Sequence, residues 1–468
     1  MKSQIFKLFI LSVVVAIVFG GCAQPSTQTT APPAPTNPPV ATQKLPEPTT
    51  APTSPPMATQ KPTEAPPTAE VVTIKYLEHF STEWGNEWFA KTIAEFEKLH
   101  PNIKIDHIAK PWNDLWPLLT AGAQSGDMPD VFATHGAWLS SLGEWNALYD
   151  LRPIIEKYAD AEYIQNTGAQ GPYALGTYKG KVLGATWGYF TYGLFYNKEY
   201  FEQNNLKVPS TWDELETLLR TVRKEKNIYG LSVVWGKAEG GDHWPYLQWG
   251  WRVRGAGGNM YDAEGKPAFN TPEGKLGMEY WKRLYDGDLI SPNAEAMTVQ
   301  QARGDFCAGK VLMIIDGPWI KGTCQTLGGK FTVAMVPGLC GEKTCGSAIT
   351  PQFLSVGANS KHPEAAFEFI KYMQSDAVTI DWGKSFGMTT ANPAFLELPE
   401  NKSDPIMGVV LKVAANKDNL SLPSVPNTVA INKMLLDEWQ KVLLEGKSID
   451  AALKDMETQW LELMKVVE

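Results

Sequence analysis

Residues 71–108 read VVTIKYLEHFSTEWGNEWFAKTIAEFEKLHPNIKIDHI, and this stretch decides the fold class. Val71–Leu77 is a β-branched and aromatic run that suits a strand. Trp88–Leu99 then carries Trp88, Phe89, Ile93 and Phe96 at helical spacing. His100-Pro101 stops it, because proline lacks an N–H and clashes with the preceding turn. Ile103–Ile108 alternates as a second strand. Working outward, a helix restarts at Leu115–Gly122, and Gly126-Asp-Met-Pro129 turns into the short strand Asp130–Ala133. Val182–Ala185 and Gly193–Asn197 are further strands. Thr211 is the N-cap of the next helix, with Glu214 at the capping-box position. Such alternation predicts an α/β protein whose sheets are covered by helices and whose ligands sit beyond the carboxyl ends of the strands.

What precedes this stretch is not part of the fold. Met1–Cys22 has Lys2 and Lys7, then the apolar run Leu8–Phe19, then Gly20-Gly21-Cys22. That order reads as a secretory leader, its apolar core well short of the ~20 residues a membrane span needs. A cysteine directly after two glycines resembles a bacterial lipoprotein signal, which implies lipid attachment at Cys22 and an exported chain held on the outer face of the cytoplasmic membrane. Residues 23–70 are almost wholly Pro, Thr, Ala, Ser and Gln, with Ala-Thr-Gln-Lys at both 41–44 and 58–61. With so little apolar surface the segment cannot offset the entropy of ordering, and it reads as a disordered stalk biased toward polyproline II.

The remaining 71–468 is too long for one core and predicts two lobes. Without Lys2 and Lys7 the chain carries 40 basic against 51 acidic side chains, a net charge of −11 with histidine neutral. That balance argues against nucleic acid and against docking on anionic lipid. All 17 tryptophans fall in this part. Most suit a core, and a minority suit stacking against the C–H faces of sugar rings.

Four cysteines lie between residues 307 and 345, an even number in an exported chain. Cys340-Gly-Glu-Lys-Thr-Cys345 encloses a tight polar turn, and Cys307 and Cys324 flank one strand and the start of a helix. The expected pairs are therefore Cys340–Cys345 and Cys307–Cys324, stabilising by roughly 2 and 3 kcal/mol on the chain-entropy model. Neither pair has CxxC spacing, so no metal site is expected.

Enzyme motifs are absent or fail on inspection. Gly304-Asp-Phe-Cys-Ala-Gly309-Lys310-Val311 nearly matches a phosphate-binding loop. Val311 stands where Ser or Thr must hold magnesium, and the run precedes a strand instead of opening a helix. There is no G-x-S-x-G and no H-E-x-x-H. Glycoside hydrolysis needs two opposed carboxylates, and nothing marks such a pair. No cofactor is expected.

Five segments in order carry a resemblance: Phe96–Pro101 with Ile103–Ile105; Gly126–Val131; Leu194–Lys198 with Pro209–Leu215; Phe306–Met313 leading to Asp316-Gly-Pro-Trp319; and Lys361–Ile370. Together they resemble the family 1 extracellular solute-binding proteins, the maltose-binding-protein type that serves ABC importers, over 71–468. The resemblance implies a two-lobe periplasmic binding protein type II fold with an interlobe ligand cleft and a three-crossing hinge. Lobe one would be 71–188 plus 352–373 and lobe two 191–350 plus 374–468, with crossings near Tyr189–Thr191, Ala348–Pro351 and Gln374.

The same resemblance implies a monomeric receptor that takes a neutral sugar, a di- or oligosaccharide, and presents its closed form to permease subunits. It places Glu78, His79, Trp112, Asn113, Thr134, His135 and Trp138 on the lobe-one side of the cleft, and Trp187 and Tyr189 at the entrance to the first hinge crossing. Asp242, Trp244, Trp319 and Asn432 fall on the lobe-two side, Asn432 standing where the maltose-binding type carries an aromatic. Asp316 shapes its turn, and His79, His135 and His243 read as solvated loop residues. An anionic ligand would want a cation, for which Arg252 and Arg254 are the candidates. A polyamine would use Glu78, Asp242 and Trp244, and is the alternative ligand class. A surface glycan-binding or glycan-hydrolysing protein is the more distant alternative.

Overall fold

The computed structural model describes residues 70–159, 163, 176–237, 243–422 and 425–465. The leader, Cys22, the stalk up to residue 69 and Asp242 lie outside the described residues.

The chain starts with strand β1 (Val72–Glu78), the short helix α1 (Phe80–Trp84), helix α2 (Glu87–Leu99) and strand β2 (Ile103–Ala109). Helix α3 (Trp112–Ser125), strand β3 (Val131–His135) and helix α4 (Gly136–Glu144) follow. β1 lies between β2 and β3 and is parallel to both, Tyr76 standing opposite His107 and Val131. Parallel neighbours need crossover helices, which is the role of α2 and α3. α2 buries Phe89, Thr92 and Phe96 on one face. α3 ends at Gly126, whose φ of 77° is the left-handed conformation that glycine adopts freely.

Two long strands join this half to the other. β4 (Ala185–Asn197) and β7 (Ala348–Val356) pair antiparallel from Ala348–Tyr192 to Leu354–Ala185. β7 also pairs with β3, Gln352 opposite His135. Further along, Gly193–Tyr196 of β4 pair with Asp316–Met313 of β6 (Val311–Asp316), which is parallel to β5 (Tyr229–Ser232). The sheet order is therefore β2-β1-β3-β7-β4-β6-β5. Along this path β4 and β7 are the strands that both halves share. The second half also holds α5 (Trp212–Lys226), α6 (His243–Gly255), α7 (Val299–Cys307) and α8 (Ile320–Thr326). Cys307–Cys324 joins α7 to α8, and Cys340–Cys345 closes the polar turn, the pairing expected from spacing. Among the described residues no helix is long and apolar enough to cross a membrane.

Four expectations need correction. Residues 182–185 are not one strand: Lys181–Val182 forms a small hairpin with Thr177–Tyr178, and Ala185 opens the thirteen-residue β4. Because β4 is buried on both faces, its sequence ATWGYFTYGLFYN has no polar alternation to mark its length. α3 begins at Trp112, three residues before the first expected position. Thr211 does cap α5, but Glu214 turns its carboxylate to Ser210 N and Oγ, at 2.8 and 2.7 Å, rather than back to Thr211. Finally, helix α9 (Asp376–Phe386) stays on the first half. Trp382 packs on Trp187 and Phe80, and Asp381 accepts from Trp88 Nε1 at 2.9 Å. Beyond Phe386, Thr389–Thr390 pairs with Tyr189–Gly188 of β4.

Candidate ligand-binding cleft

The segments that follow β1 and β6 line one cavity of about 50 Å³. From the first half it is lined by His79, Glu83, Trp84, Trp112 and Asn113, and from β4 by Phe190 and Tyr192. The second half supplies His243, Trp244, Val299, Gln300, Arg303 and Trp319.

Each group is held there by local chemistry. α1 starts directly after β1, so His79, Glu83 and Trp84 are carried to the end of the sheet in one short turn. Glu78 fixes that turn: its Oε2 accepts from Ser81 N at 3.0 Å, and its Oε1 meets the Ser81 hydroxyl and His107 Nε2, the latter at 2.7 Å. Trp112 opens α3 and stacks on Trp138 of α4, ring centroids 4.6 Å apart. Trp319 follows the Asp316-Gly-Pro turn and packs against Phe190 at 4.7 Å and Tyr192 at 5.8 Å. Its ring folds back over Gly317, where a Cβ would lie 2.1 Å from a ring carbon, so only glycine fits.

The electrostatics are set by burial. Arg303 donates from Nε and Nη2 to Asp316 at 2.7 and 3.0 Å, while Asp316 also accepts from Gly317 N at 2.8 Å. Burial works against the guanidinium charge, and the Asp316 carboxylate overrides it and raises the Arg303 pKa. Glu83 moves the other way: burial raises its pKa, partly offset by Arg303. Burial lowers His79 to about 3, assisted by Arg303, and His243 to about 4. His135 is pushed well down by burial and by its histidine neighbours. The three rings are neutral at neutral pH.

Both halves meet across the cavity. The His135 and His243 rings are 5.1 Å apart, Trp84 and Trp319 are 6.5 Å apart, and Ser140 Oγ lies 3.3 Å from Thr428 Oγ1. Buried polar atoms without a protein partner include His79 Nδ1, Trp84 Nε1, His135 Nε2 and Trp319 Nε1. Such groups are costly unless something bonds them. The arrangement can stack flat apolar faces and satisfy hydroxyls at their edges.

Of the residues expected in the cleft, His79, Trp112, Asn113, Trp244 and Trp319 line the cavity. His135 lies one layer deeper, where its Nδ1 accepts from Ala137 N at the start of α4. Trp138 backs Trp112 rather than facing the cavity, and Thr134 is buried inside β3. Asn432 is buried on the helix α10 (Thr428–Leu444) and is not among the lining residues. Glu78 is consumed by its contacts with Ser81 and His107. Trp187 points into the contact with Trp382. Tyr189 lines a separate groove of about 740 Å³ with Thr389, Leu396 and Leu411. The three cleft histidines are buried, not solvated. Arg252 pairs with Glu342 outside the cavity, and among the described lining residues Arg303 is the cation. The missed lining residues include Glu83, Trp84, Phe190, Tyr192, Gln300 and Arg303. A period of two along β4 was the available signal for Phe190 and Tyr192, which share a face that Tyr189 does not.

The profile of a family described as bacterial extracellular solute-binding protein matches residues 82–380. An ABC transporter extracellular-binding protein of Pyrococcus horikoshii is 28% identical over 388 residues, covering 80% of this chain and 83% of its own. A multiple sugar-binding protein of Streptococcus mutans is 27% identical over 312 residues, covering 64% and 71%. Among solved structures, an ABC substrate-binding protein of Listeria monocytogenes in complex with cycloalternan superposes with a TM-score of 0.73 at 19% identity, covering 85% and 100%.

Proposed function

Since the chain belongs to the bacterial extracellular solute-binding proteins, we propose that it is the receptor of an ABC importer and captures a neutral sugar, a di- or oligosaccharide, in the cleft. The observation that carries this reading is the joint presence, around one cavity, of six large aromatic rings and, on the same lining residues, of buried polar atoms without protein partners. The rings are Trp84, Trp112, Phe190, Tyr192, Trp244 and Trp319, and the atoms include His79 Nδ1 and Trp319 Nε1. Sugar rings offer apolar C–H faces to the former and hydroxyls to the latter. The names of the relatives that bind sugars support the same class.

Charge supports a neutral ligand. Arg303 is engaged by Asp316, and Glu83 is the carboxylate among the described lining residues. The polyamine alternative loses Glu78, which is spent on Ser81 and His107. The reading is of a binding protein rather than a hydrolase, because catalysis of glycoside cleavage asks for two available carboxylates.

In this reading 71–188 with 352–386 forms lobe one, and 191–350 with the chain after Phe386 forms lobe two. A ligand touching both lobes binds the closed state better and shifts the population toward it, which a permease then reads. Cys22 carries lipid and 23–70 is the tether. Calorimetric titration against mono- and oligosaccharides, spermidine and glycerol phosphate tests the ligand class. Micromolar one-to-one binding of a sugar, lost in Trp319→Ala, is expected; a response to spermidine with silence on every sugar would overturn it.

A further inference from the structure

The cleft wall contains an ion pair that no ligand chemistry requires. Arg303 is on α7 in the second half and Glu83 is on α1 in the first, and Arg303 Nη1 lies 3.9 Å from Glu83 Oε2. We propose that Glu83 and Arg303 form a latch across the cleft, an ion pair made only when the lobes close, so that part of the closed state's stability is independent of ligand.

Three observations carry this. First, the arginine is aimed before the lobes meet. Two of its nitrogens are held by Asp316 on its own lobe, and Asp316 is itself fixed by Gly317 N. The remaining Nη1 is left pointing across, so little side-chain entropy is lost on pairing. Second, Glu83 has no hydrogen-bond partner on its own lobe among the described residues, and Arg303 is its ion-pair partner. Third, the pair is sheltered, with the side chains of Arg303 and Glu83 13% and 24% exposed. A sheltered pair is screened far less than a surface one. Enclosing the Glu83 carboxylate is costly, and Arg303 offsets part of that cost, so pairing and closure depend on one another.

The inference needs the two-lobe fold and not the identity of the sugar, so it is tested without ligand. Small-angle scattering of the unliganded full protein compares the wild type with Glu83→Gln, an isosteric change that removes the charge. The wild type is expected to be the more compact of the two, and 1 M NaCl is expected to expand it toward the variant while leaving the variant unchanged. Arg303→Lys, which keeps the charge but loses the fork, should fall between. Equal compactness of wild type and Glu83→Gln overturns the latch. So does the outcome in which Glu83→Gln weakens maltotriose binding about tenfold yet leaves unliganded compactness untouched, because Glu83 is then a ligand contact. Thermal melting of each variant separates opening from unfolding.

Discussion

The two walls of the cleft are built on different principles. The first-half wall is a stack of rings. Trp112 leans on Trp138, His79 sits edge-on to Trp112 at 4.7 Å, and Trp84 contacts Phe386 at 5.5 Å. Dispersion and burial hold the rings, and the Glu78 carboxylate fixes the turn that carries His79 and Trp84. The second-half wall is braced: Arg303 ties α7 to the end of β6, and Cys307–Cys324 ties α7 to α8 on the far side of Trp319. A stacked wall adapts to ring faces, while a braced wall holds a fixed anchor for them. The difference also fixes how each wall fails.

Acid attacks where the walls meet, and its effect should be the largest. His79 and His243, at about 3 and about 4, are neutral in the folded, closed form, whereas an exposed histidine takes up protons from ~6.5 downward. Stability from these groups is therefore complete above about 6.5 and is lost as the pH falls through the window toward 3. Between pH 7 and 5 the two together should cost roughly 4 kcal/mol, and His135 acts in the same direction. In the proposed closure of the two lobes, opening would hydrate these rings without unfolding, so expansion in scattering should precede loss of circular dichroism. Flat scattering down to pH 5 would show that the histidines do not sense closure.

Next come the braces. Asp316→Asn leaves the buried Arg303 without its carboxylate and should destabilise by about 3 kcal/mol, read from urea unfolding. Replacing Cys307 and Cys324 together by serine removes a closed loop in the denatured chain and should cost roughly 2–3 kcal/mol. Neither change touches the first-half rings. If the braced-wall account is right, both variants lose sugar affinity through Trp319 while quenching of Trp112 and Trp84 is unchanged. Equal loss on both walls would erase the contrast between them.

The legible parts of this molecule are those with local signals. Proline after His100, the threonine cap of α5 and the cysteine spacings each depend on a few adjacent residues, and each appears in the structure. The Asp-Gly-Pro-Trp turn placed Trp319 at the cavity for the same reason. What escaped depends on partners remote in sequence. Arg303 sits in an ordinary helix, and its meaning comes from Asp316 across a strand and Glu83 some 220 residues away. Glu78 looked like a ligand for sugar because it follows a strand, yet Ser81 and His107 claim both its oxygens. α9 looked like part of the second half until Trp382 was seen to fill the space beside Trp187.

The smallest expected effect is also the most discriminating test of β4, which belongs to both walls. Its side chains alternate, so Phe190 and Tyr192 face the cavity while Tyr189 faces the groove with Thr389 and Leu411. The Tyr189 hydroxyl therefore cannot reach a ligand in the cavity. Tyr189→Phe should leave sugar affinity within ~0.5 kcal/mol of the wild type, the range of a substitution away from any key contact. Phe190→Ala, one residue on, removes a ring that packs on Trp319 at 4.7 Å and should weaken binding by ~1–2 kcal/mol. A result in the reverse order would mean that β4 presents its other face to the ligand. The register with Thr350 opposite Phe190 would then have to shift by one residue, turning every side chain of the strand over.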